Sequence, residues 1–118
     1  MRHIVVASLL ILLALPVWAD FQNGLDAYNR GDFATALKEW QPLAEHGNAS
    51  AQYNLGLMYH TGQGLPQDYA EAAKWYRLAA DQGYAQTQTN LGWMYAKGTG
   101  VPQDYELLPI RWTGLTRI

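Results

Sequence analysis

Two stretches of the chain say nearly the same thing: YHTGQGLPQDYAEA at 59–72 and YAKGTGVPQDYELL at 95–108, 36 residues apart. Aligning 47–69 with 83–105 gives 14 identities in 23 positions. A period of this length is the mark of a solenoid, in which one supersecondary unit is stacked on the next because it cannot bury its apolar face alone. That requirement constrains the fold more tightly than composition does.

The unit reads as two helices and an elbow. In ASAQYNLGLMY the residues Ala51, Leu55, Met58 and Tyr59 fall at i, i+4, i+7 and i+8, an apolar stripe at helical spacing. Gly56 inside this helix A costs about 1 kcal/mol against alanine. Its recurrence as Gly92 predicts a site where another helix comes too close for a Cβ. Gly62, Gly64 and Pro66 end helix A. Asp68 is then the expected N-cap of helix B, with Glu71 completing a D-x-x-E variant of the capping box. The second stripe comprises Tyr69, Ala72, Ala73, Tyr76, Ala79 and Ala80, with Gly83 as its stop. The G-x-G-x-P-Q-D-Y phrase is therefore a turn and a cap. It is no dinucleotide fingerprint, since Gln67 stands where the third glycine belongs, and it lacks the Lys-Ser/Thr pair of a phosphate loop.

A divergent unit precedes these two. Asp32, Phe33, Ala36, Ala44 and Gly47 lie 36 residues before Asp68, Tyr69, Ala72, Ala80 and Gly83. Its turn lacks a counterpart of 63–67, and Pro42 is expected to kink or loosen its second helix. The expected architecture is all-α: an α/α right-handed superhelix of about two and a half to three hairpins.

The first residues call for separate treatment. A basic start (Arg2, His3) precedes a twelve-residue run at 4–15 that is apolar but for Ser8, then Pro16, and a small residue, Ala19, at a cleavage position. This is the pattern of a signal peptide cut after Ala19, with an uncleaved anchor as the alternative. Twelve residues at 1.5 Å each fall short of the roughly 30 Å of hydrocarbon. The expected product is periplasmic or secreted, without stable membrane insertion. The chain has no cysteine, which excludes a disulfide framework and thiolate metal sites. Without Arg2 it carries seven Lys+Arg against ten Asp+Glu and no basic stripe, so nucleic acid is not an expected partner.

Residues 47–105 resemble Sel1-like repeats, relatives of the tetratricopeptide repeat. The pattern A-x-A-x-Y-N-L-G-x-M-Y-x-x-G-x-G-x-P-Q-D-Y-x-x-A-x-x-W-Y-x-x-A-A-x-x-G runs through Ala49 to Gly83. The resemblance implies the following domain organisation: signal peptide 1–19, tetratricopeptide-like hairpin 20–46, full repeat 47–82, partial repeat 83–105 and an atypical tail 106–118. It also implies a non-enzymatic protein-interaction scaffold of the bacterial envelope, with helix A lining the concave side. No catalytic residue and no cofactor follow from it. The tail departs from the pattern: Trp112 lies seven after Tyr105 where Trp75 lies six after Tyr69, and Pro109 falls inside the expected helix. A truncated last helix is expected to expose Leu91, Met94 or Tyr95, leaving a chain that is marginally stable or forms a homodimer through that end.

Binding surfaces of solenoids are projected by residues beside the core stripe. On helix A these are Tyr53, Leu57 and His60, and in the next unit Trp93, with Lys97 beside it. Trp and Tyr dominate binding energetics, which makes these the candidate protein-binding residues; packing between repeats is the competing role. Trp40 and Trp75 are expected to pack within hairpins. His46 and His60 lack partners at metal-ligand spacing. Asp68 and Asp104 are explained as caps, and no nucleophile–base pair emerges. Alternative functions are peptidoglycan or β-lactam binding or hydrolysis, which in exported members of the family goes with paired cysteines absent here, and a truncated, non-functional remnant.

Overall fold

A computed structural model describes residues 19–104. They form five helices: α1 (Phe21–Asn29), α2 (Phe33–Glu45), α3 (Ala49–Thr61), α4 (Tyr69–Asp81) and α5 (Ala85–Lys97). There is no strand among the described residues. Each helix packs chiefly on its neighbours in sequence. The result is the expected stack, with α1–α2 and α3–α4 as hairpins and α5 as helix A of the third unit.

Side-chain capping explains where the first four helices begin, while Tyr84 before α5 makes no such bond. The carboxylate of Asp20 accepts from the N–H groups of Gln22 and Asn23, Asp32 from Thr35, Asn48 from Ala51 and Asp68 from Glu71. The predicted capping box at Asp68 closes on one side. The Asp68 N–H donates to the Tyr59 carbonyl at 2.9 Å, across the elbow, and Glu71 pairs with Lys74 at 3.3 Å. The turn thus uses that backbone donor to tie the start of α4 to the end of α3. Three residues separate α1 from α2 and seven separate α3 from α4, so the first turn is the shorter one, as its missing segment requires.

Both stripes are buried largely as read. Ala51, Leu55 and Met58 are fully covered, as are Ala72, Tyr76 and Ala79, while Tyr59 is half-buried. Tyr69 departs from the reading: at the first turn of α4 it is 39% exposed, lying at the elbow where the hairpin opens. Trp40 is buried against Phe21 and Tyr28 of α1 and donates its indole N–H to the Phe21 carbonyl at 3.1 Å. Trp75 joins the same cluster from α4. Pro42 does not end α2, which runs on to Glu45. The ring sits in the last turn, where it removes one interior hydrogen bond while buried Trp40 and Ala44 hold the helix in place.

Glutamines, which the repeat pattern presents merely as recurring polar residues, tie the stack together. Gln52 Nε2 donates to the Ala44 carbonyl at the end of α2, and its equivalent Gln88 donates to the Ala80 carbonyl at the end of α4. Gln82 Nε2 in turn reaches Gln52 Oε1 and the Gly47 carbonyl, each at 2.9 Å. Gln67 and Gln103 satisfy the His60 and Ala96 carbonyls at the ends of α3 and α5. The bonds from Gln52, Gln88, Gln67 and Gln103 each meet a carbonyl in the last turn of a helix, which the helix itself leaves without a partner.

The expected exposure of Leu91 and Met94 is not found. Both are buried, because their side of α5 packs on Ala72, Ala73, Tyr76 and Ala80 of α4 rather than facing onward, and Tyr95 is half-buried. The tail at 106–118 lies outside the described residues.

At Gly56 a Cβ would stand 2.6 Å from the Tyr76 ring and 3.3 Å from the Ala72 carbonyl oxygen. The predicted close approach is that of α4. Because Tyr76 is fully buried, its ring has little room to yield. Gly56→Ala should therefore lower stability by about 1–3 kcal/mol despite alanine's better helix propensity, measured by urea denaturation followed by circular dichroism.

Candidate interaction groove

A cavity of about 480 Å³ opens between α3 and α5 with α4 beneath it. Leu57, His60 and Thr61 of α3 form one wall, and Asn90, Trp93, Met94 and Lys97 of α5 the other. Tyr69 and Tyr76 of α4 contribute from below, and Thr99 closes one end. The size falls within the range of roughly 300–1,000 Å³ typical of ligand pockets. The spacing of the repeat places these groups together. Leu57 and Trp93 are 36 residues apart at equivalent helical positions, so stacking brings both onto one side of the solenoid.

Four of the five candidates, Leu57, His60, Trp93 and Lys97, line this groove. Trp93 is 55% exposed, the most exposed of the large apolar side chains. Tyr53 is placed elsewhere. It is half-buried, stacked on Tyr76 with ring centroids 5.9 Å apart and set 5.4 Å from Tyr84, where it packs the second core cluster. Tyr69, Tyr76 and Asn90 are groove residues that the sequence reading missed. The two tyrosines were absorbed into the core stripe of helix B. Asn90 recurs from Asn54, and a polar residue kept in mid-helix was the available signal.

The polar chemistry of the groove is incomplete from within. The Tyr76 hydroxyl and His60 Nδ1 are both buried and without a hydrogen-bond partner. The His60 ring meets Tyr69 edge-on at 5.2 Å and lies 6.2 Å from Tyr76. Burial pushes the Tyr76 phenol above its ordinary range, with the Asn90 side chain pulling the other way without forming a bond of normal geometry. The phenol is therefore a protonated donor throughout the physiological range. Among the described residues no His/Cys/Asp/Glu group is arranged to hold a metal, and no helix is long and apolar enough to cross a membrane.

Stacked helical hairpins joined by G-x-G-x-P elbows define a helical-repeat scaffold. The Sel1 repeat model matches residues 49–84 and 85–107, and the chain belongs to the Sel1 repeat family. Among solved structures it is similar to a Sel1 repeat protein from Oxalobacter formigenes, with a TM-score of 0.73 and 30% identity over 79% of this chain and 38% of that one. It is also similar to c5321, a protective antigen present in uropathogenic Escherichia coli strains and displaying an SLR fold, with a TM-score of 0.71 and 38% identity. That match covers 80% of this chain and 21% of the antigen, so the chain spans well under half the length of either relative. No curated protein matches it.

An unpaired buried hydroxyl costs about 1–3 kcal/mol. Tyr76→Phe keeps the ring against Gly56 and removes that oxygen, so the variant should be more stable than the parent by about 1 kcal/mol, read from paired urea melts.

Proposed function

We propose that this chain is a non-enzymatic docking scaffold of the bacterial envelope, which captures a partner protein along its helix-A surface and thereby regulates it. Sel1 repeats are generally protein-interaction modules, and the groove between α3 and α5 is where this chain offers the means. The observation that carries the reading is Trp93, a tryptophan more than half exposed that lines a cavity together with two residues, His60 and Tyr76, each holding a buried polar atom without a partner. Large aromatic side chains of this kind supply much of the energy of protein association. Leu57 and His60 complete the opposite wall, and Lys97 supplies charge at the edge.

Export rests on the N-terminal pattern of a basic start, a twelve-residue run that is apolar but for Ser8, and Ala19. A protective antigen among the similar structures supports a family setting in which such scaffolds meet the cell exterior. Fractionation of cells expressing the full chain should recover it outside the cytoplasm with Asp20 as its first residue by mass spectrometry. Recovery of an intact Met1 terminus from the cytoplasm would remove the envelope assignment.

The docking role is tested by cross-linking the tagged protein in its native envelope. Trp93→Ala should lose captured partner at least tenfold, a difference of about 1.4 kcal/mol, with helicity by circular dichroism unchanged. Undiminished capture by this variant would refute the groove as the docking surface.

A further inference from the structure

The seam between the first two units provides an internal comparison for the groove. Trp40 holds there the position that Tyr76 holds 36 residues later, and its N–H is met by the Phe21 carbonyl. Tyr28, the counterpart of Tyr59, donates its hydroxyl to Gln63 Oε1 at 2.6 Å. Both polar tips of that seam find partners inside the chain. In the second seam Tyr76 is 0% exposed, yet its hydroxyl and the neighbouring His60 Nδ1 have none. Both atoms are left open to a group that enters the groove.

The chemistry of the entrant follows from what lines the cavity. The chain as a whole has more acidic than basic residues, but among the described residues no carboxylate lines the groove. Lys97 is exposed at its edge and has no ion-pair partner among the described residues. A protonated phenol, an asparagine amide and an ammonium are all donors, and an anionic acceptor satisfies them together. Two helix C-termini, those of α3 and α5, also meet here, and free carbonyls would repel an anion. They are already engaged. His60 and Ala96 carbonyls accept from Gln67 and Gln103, and the Met58 and Met94 carbonyls accept from turn N–H groups. Of the remaining lining residues, Leu57, Tyr69, Trp93 and Met94 are apolar or aromatic, and the hydroxyls of Thr61 and Thr99 add neutral polar groups. A cavity of about 480 Å³ exceeds the needs of a carboxylate alone and leaves room for a neighbouring apolar side chain.

We propose that the groove between α3 and α5 receives an acidic residue of an extended protein segment, with an adjacent apolar residue held against Trp93. This deepens the docking function and rests on it. Lys97 supplies the charge, Tyr76 the buried hydrogen bond, and the aromatic walls the contact area.

A random heptapeptide library displayed on phage and selected on the immobilised full chain should enrich sequences with Asp or Glu beside an apolar residue. A synthetic peptide of the most enriched sequence should bind Lys97→Glu at least tenfold more weakly than the parent. Its charge-reversed counterpart, with Lys for the acidic residue, should prefer Lys97→Glu. Tyr76→Phe should weaken the acidic peptide several-fold while leaving its Ala counterpart, which offers no acceptor, unaffected, a split that mere loss of packing does not produce. Enrichment without acidic residues, or affinity indifferent to Lys97→Glu, overturns the acidic-segment assignment and leaves the docking role standing. Absence of any enrichment overturns it as well, and the docking role falls with it only if envelope capture also survives Trp93→Ala.

Discussion

The Tyr76 ring lies where a Cβ on residue 56 would have to stand, and the rest of the second unit is arranged around that contact. With no side chain at Gly56, α4 approaches α3 closely enough for the Tyr76 ring and the Ala72 carbonyl to occupy the space a Cβ would need. The same approach sets the depth of the groove, because it seats a tyrosine beneath α3 and α5 with its hydroxyl buried and unmet. Packing and binding chemistry thus share one side chain. A bulkier residue at position 56 would disturb both.

The first unit reaches a related solution with different residues. A Cβ at Gly24 would stand 2.3 Å from the Trp40 indole nitrogen, so α1 and α2 also meet through a missing side chain. There the aromatic group finds its hydrogen-bond partner at the Phe21 carbonyl, and the seam is chemically closed. Two adjacent seams built to one plan therefore differ in a single respect that matters for function. One satisfies its buried polar groups and the other leaves two of them without a partner.

Most of the architecture was legible in the sequence, because a solenoid repeats its own instructions. Fourteen identities at a fixed spacing locate the hairpins, Asp68 marks a helix start by its side-chain chemistry, and Gly56 marks a close approach by its cost. Side-chain direction within a helix was harder to read. Tyr53 and Leu57 share one side of α3, yet the first packs on Tyr76 and Tyr84 while the second lines the groove. Tyr69 fits the apolar period of α4 but sits at its first turn, where the elbow leaves it half open. Leu91 and Met94 were expected to need a following helix because periodicity shows which residues are apolar without showing which neighbour covers them. The glutamines were illegible for another reason: their targets are main-chain carbonyls, which no residue pattern identifies.

Those glutamines determine how the molecule responds to its surroundings. Amide ties between successive units run from Gln82 to Gln52 to the end of α2 and from Gln88 to the end of α4, beside the bond from the Arg77 guanidinium to the Tyr95 hydroxyl that joins α4 to α5. The ion pairs among the described residues, Arg30–Asp32 and Lys74–Glu71, are exposed and short in sequence range, and hold no two hairpins together. Ionic strength screens charges and acid titrates them, but neither acts on an amide. Through these amides successive hairpins stay joined in brine and in moderate acid alike.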